Sequence, residues 1–75
     1  MGVVVRAAQL IPLLLKFGFR IVRQTGSHVQ LRHISDITKR VTVPVHNKDL
    51  PIKTLKSILN QAGITMEQFL KSIGR

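Results

Sequence analysis

Seventy-five residues make one small domain (residues 1–75), in which folding removes only about 60% of the extended chain's surface from water, so the core has little to spare. Twelve Lys and Arg against three Asp and Glu give a formal net charge of +9, which favours a polyanionic partner, nucleic acid ahead of an anionic membrane. The absence of cysteine excludes a disulfide framework and a thiolate metal site, and fits a reducing cytosol.

The N-terminal stretch is apolar without reading as an export signal or a span. Leu10 to Leu15 is short, contains Pro12 and is followed by no small-residue cleavage site. The interval between Arg6 and Lys16 falls far below the roughly 20 apolar residues a membrane span needs. Arg6 stands where a myristoylation signal beginning at Gly2 wants Ser or Thr. The chain therefore reads as soluble, with no membrane among its partners.

Ala7, Leu10, Ile11, Leu14 and Leu15 recur at helical spacing, and Gly18 marks a stop, so the first element is an amphipathic helix. Pro12 removes a backbone donor and crowds the preceding turn, which predicts that the helix starts late or bends there. Phe19 to Gln24 supplies aromatic and β-branched residues for a strand. Thr25-Gly26 turns the chain, glycine permitting the positive φ of a short hairpin, and His28 to His33 returns antiparallel. After a loop over residues 34–38, Val41, Val43 and Val45 alternate with Arg40 and Thr42 in a third strand, where Pro44 suits an edge.

Residues 46–50 connect to a second helical stripe, Leu55, Ile58, Leu59 and Ala62, which Gly63 ends. Lys53 and Lys56 lie off that stripe. Thr65 and Gln68 have the spacing of a capping box, opening a short last helix that carries Met66, Phe69, Leu70 and Ile73. The order α-β-β-β-α with a short C-terminal helix predicts an α+β domain: a three-stranded antiparallel sheet with helices on one face.

Alternation then sends Val29 and Leu31 to the core, and His28, Gln30, Arg32, Arg40 and Thr42 to the open face. A solvated face with scattered cations is what most antiparallel sheets show, and charge alone does not separate the two readings. An exposed imidazole among cations is nonetheless the side chain best suited to exchange protons near neutral pH, which makes His28 the candidate acid or base. His33, five residues along the strand, lies on the opposite face and about 16 Å away, so it cannot share a phosphate with His28. His46 reads as a structural residue of the connection, with a part in catalysis left open. Asp36, Asp49 and Glu67 are spread over a loop, a connection and a helix, too scattered to hold a metal ion. Ser27 points away from its neighbour His28 and is left to bond the turn or a phosphate.

Four ordered segments carry a resemblance: Lys16-Phe17-Gly18-Phe19 at the end of the first helix, Val22-Arg23-Gln24-Thr25-Gly26-Ser27-His28, Val41-Thr42-Val43-Pro44-Val45-His46, and the run from Thr54 to Gly63. From about Gln9 to Ile73 the chain resembles the HicA (YcfA-like) mRNA interferase toxins. The resemblance rests on the ordered set, since Gly-Ser-His alone has no weight. It implies a double-stranded-RNA-binding-domain-like fold, a bacterial or archaeal source, a cytoplasmic location, endoribonuclease activity on mRNA as a type II toxin, and neutralisation by a HicB-type antitoxin. It also carries the family's catalytic histidine onto His28. Many members follow that histidine with a second His or an aromatic, whereas Val29 stands here and turns inward. On this reading Ser27, Gln30, Arg32, Arg40 and Lys56 hold the RNA and no cofactor is needed. The other readings are a noncatalytic RNA-binding domain of the same fold and a small basic protein whose main business is a protein partner. Against RNA binding by stacking, the only aromatics are Phe17, Phe19 and Phe69, with no Tyr or Trp.

Overall fold

The N-terminal apolar stripe forms α1 over Ala7–Lys16 in the computed structural model, which describes residues 5–45 and 49–74. Ala7, Leu10, Leu13 and Leu14 are buried, and the Gln9 side chain accepts the Arg6 backbone N–H at 2.9 Å to close the N-terminus. The helix does not start late at Pro12. It begins five residues earlier, because Pro12 falls on an exposed position and the Ala8 residue that loses its helical donor is itself exposed. Leu15, expected in the stripe, is 37% exposed, so the buried face is narrower than the spacing alone suggests.

Three strands follow, β1 (Phe19–Thr25), β2 (His28–His33) and β3 (Arg40–Pro44), in the antiparallel order β1-β2-β3. Gly26 has φ +51° and Ser27 a negative φ, the pattern of a type II′ hairpin with glycine at its first central position. The Ser27 carbonyl accepts the Val45 N–H, which ties this turn to the end of β3. Val29, Leu31, Val41 and Val43 are buried on one face, as the alternation predicts. Val45 continues the pattern in sequence but lies past the end of β3 and is 37% exposed.

Two further helices complete the chain, α2 (Ile52–Ala62) and α3 (Met66–Ser72). α1 packs on β1 and β3, α2 on β3, and α3 on α2. Leu10, Leu14, Phe19, Leu31, Leu55, Ile58 and Phe69 meet in one core between these helices and the sheet. The capping box of α3 is complete: Gln68 N–H donates to the Thr65 hydroxyl at 3.0 Å, and Thr65 N–H to the Gln68 side chain at 2.9 Å. Ile73, expected in the apolar set of that helix, is its exposed C-cap. This is a small α+β fold, and no helix among the described residues is long and apolar enough to cross a membrane.

One knot fastens the covered side. The His33 ring stands edge-on to Phe19, centroids 5.1 Å apart, and its Nδ1 accepts the backbone N–H groups of Ser35 and Asp36 at 3.1 Å each. Nδ1 is thus the bare nitrogen, and Nε2–H donates to the Phe17 carbonyl at 3.1 Å. Gly18, at φ +94°, sits so close that a Cβ there would lie 2.8 Å from Nε2, whereas a Cβ on Gly26 would meet nothing. Both alanine variants incur the cost of a left-handed backbone, of order 1–2 kcal/mol, but only Gly18→Ala also pushes the imidazole off its partners. Gly18→Ala is therefore expected to lower the thermal midpoint by at least about 5 °C more than Gly26→Ala. Equal midpoints would mean that the Gly18–His33 contact contributes nothing.

Candidate functional site

The pairing register assembles the open face in rows. Arg20, Arg32 and Arg40 are direct cross-strand partners; the next row holds Arg23, Gln30 and Thr42; the last holds Thr25, His28 and Pro44 at the hairpin end. All but Pro44, which is half-buried, are exposed. His28, Gln30, Arg32 and Arg40 are thus brought together as the alternation predicts, with Ser27 in the turn beside His28. His28 stands about 7 Å along β2 from Gln30 and about 13 Å from Arg32.

The row of three guanidiniums is electrostatically costly, since like charges directly opposite in a sheet repel. No carboxylate relieves it among the described residues. Asp49 pairs with Arg6 at 3.2 Å, and Glu67 with Lys71 at 3.6 Å. Asp36 accepts from the Thr38 hydroxyl and backbone N–H, which hold its carboxyl below the ordinary range, and it serves the turn between β2 and β3. Only Arg20 finds other acceptors: its Nη1 donates to the Phe19 carbonyl at 2.8 Å and to the Leu15 carbonyl at the end of α1 at 3.5 Å.

The structure does not bring Lys56 to this face. α2 packs Leu55, Ile58 and Leu59 against the covered side, and Lys56 borders a separate depression with Leu59, Asn60, Ile64 and Met66. His33 is on the covered side, as expected, and His46 lies outside the described residues.

Sequence reasoning missed Arg20 and Arg23. A register shift between Ile21 and Arg23 makes a β-bulge, so Val22 and Arg23 together oppose Gln30, and Arg23 joins the open face instead of turning inward. The signal was the pair Ile21-Val22, whose adjacent apolar residues break the period of two. Ile21 and Val22 are 46% and 54% exposed. Val22, Gln30, Arg32, Arg40 and Thr42 rim a shallow depression of about 260 Å³ on the open face, with Leu31 and Val41 at its floor.

These features define a small basic α+β domain with an arginine-rich sheet face and one histidine at its edge. The family model described as HicA toxin of bacterial toxin-antitoxin matches residues 7–64, from the first residue of α1 to just past α2. The chain belongs to the HicA toxin family, and so has the role of toxin in a toxin–antitoxin pair. No curated protein matches the chain.

Proposed function

We propose that this toxin is a metal-independent endoribonuclease that cleaves mRNA with His28 as its general base, silenced when a HicB-type antitoxin covers the open sheet face. The observation that carries the reading is the unneutralised arginine row on the face that His28 shares. Such a row favours a polyanionic partner, a phosphate backbone or an acidic protein surface. Family membership supports the same conclusion, since HicA toxins are generally ribonucleases.

In this reaction His28 takes the proton of a 2′-hydroxyl, the 2′-oxygen bonds to the adjacent phosphorus, and the bond to the 5′-oxygen breaks as that oxygen takes a proton from water, after which His28 returns its own proton to solvent. Arg32 and Arg40, about 13 Å further along the sheet, hold phosphates of the neighbouring nucleotides, while Ser27 and Gln30 contact the strand on either side of His28. Lys56 stands outside this surface. The three carboxylates are engaged at the ends of α1 and α2, in a turn and on α3, away from the arginines, so they offer no shared metal site at the scissile phosphate.

Cleavage is expected to proceed unchanged in excess chelator and to leave a 2′,3′-cyclic phosphate and a 5′-hydroxyl. End-group analysis of the products checks both points at once. Activity that vanishes with chelator and returns with Mg²⁺ or Mn²⁺, or products with 5′-phosphates, would sink the histidine mechanism.

A further inference from the structure

We propose that the depression beside the arginine row is a nucleobase subsite, in which Gln30 and Thr42 read the edge of one base and Val22 forms its apolar wall. The proposal rests on the reading of the open face as an RNA surface and adds to it a source of base preference.

The argument starts from what the depression contains. Its rim has two neutral hydrogen-bonding groups that are direct cross-strand partners, Gln30 and Thr42, and two guanidiniums that are likewise partners, Arg32 and Arg40. A phosphate alone would use only the second pair. Gln30 presents a donor and an acceptor side by side, the arrangement that matches the edge of a base, and threonine can serve as either. The bulge supplies the third component, setting Val22 opposite Gln30 as an exposed aliphatic wall. Bulges recur beside functional sites because they re-aim one side chain. No aromatic competes for the base: Phe19 and Phe69 are buried, and Phe17 is half-buried on the covered side. Stacking then falls to a guanidinium plane and Val22.

Position favours this use. Gln30 lies about 7 Å along β2 from His28, a separation that one nucleotide spans, so the base read here is a close neighbour of the phosphate that His28 attacks. The volume, about 260 Å³, is enough to admit a nucleobase, purine or pyrimidine. Two kinds of contact therefore divide across adjacent rows: the arginines hold phosphate whatever the sequence, and the amide and hydroxyl select the base. Glutamine's usual partner is adenine, through its amino group and neighbouring ring nitrogen.

The test is binding of short homo-oligoribonucleotides of adenine, cytosine and uracil to the full chain carrying His28→Ala, which keeps the RNA intact. The adenine oligomer is expected to bind about fivefold or more tightly, the lower end of what a bidentate amide–base pair gives. Gln30→Leu in the same background should erase the preference, and Thr42→Val should reduce it. Arg32→Ala should weaken all three oligomers alike. A preference for another base that Gln30→Leu erases also supports the subsite. Equal affinity for all three oligomers, or a preference that survives both Gln30→Leu and Thr42→Val, overturns it while leaving the nuclease reading intact. Selective binding by a chain whose wild-type form cuts no RNA would have the opposite meaning.

Discussion

Replacing His28 by alanine is expected to slow RNA cleavage by about 10²- to 10⁴-fold, the usual loss when a general acid or base is removed, while RNA affinity changes little. The side chain is exposed and no core residue rests on it, so the thermal midpoint should correspond to a stability within about 0.5 kcal/mol of wild type. These three measurements, made together, separate the possible roles. Near-normal cleavage would refute the catalytic assignment. Lost cleavage with lost folding would make His28 structural, as His33 is. A wild-type chain that binds RNA without cutting it would leave the noncatalytic reading. His33 supplies the internal contrast: its ring already has acceptors or donors at both nitrogens, so its removal should damage stability first and activity only as a consequence.

The order of elements was legible because burial imposes a period that the residues keep. Val29, Leu31, Val41 and Val43 face the core as alternation requires, and the Thr65–Gln68 box caps α3 with both of its hydrogen bonds. The same alternation puts His28, Gln30, Arg32 and Arg40 on one surface, and the pairing of β2 with β3 keeps them there. What escaped depends on partners that a single strand does not announce. The extra residue at Val22 is a property of how β1 meets β2, so strict alternation from Phe19 turns Arg23 inward; Arg20, next to the buried Phe19, was on the open face by alternation alone and was simply not read off. Lys56 shows a different limit. Its position off the apolar stripe says that it meets solvent, but not on which side of the molecule, and α2 turns out to carry it away from the sheet's open face. Pro12 looked like a boundary because its local cost is real. The packing of Leu10, Leu13 and Leu14 outweighs one missing helical hydrogen bond at an exposed position.

RNA affinity is expected to fall steeply with salt, because Arg20, Arg32 and Arg40 lie in one row with no carboxylate beside them among the described residues. Each single-strand phosphate neutralised contributes a slope of about −0.7 to log K against log salt, so three contacts predict about −2, or roughly a hundredfold loss across a tenfold rise in salt. Arg32→Gln should reduce that slope by about 0.7 and weaken binding. It should also stabilise the free protein by up to about 1 kcal/mol, since it removes the central member of a repelling row. Opposite signs for binding and stability are the informative feature: a surface evolved only for the fold would not keep three arginines as direct cross-strand partners. An acidic antitoxin seated on the same face predicts that its complex weakens with salt and with Arg32→Gln in parallel with RNA. A flat salt response for RNA would remove the electrostatic argument for this surface, and an antitoxin complex indifferent to Arg32→Gln would put the antitoxin elsewhere on the toxin.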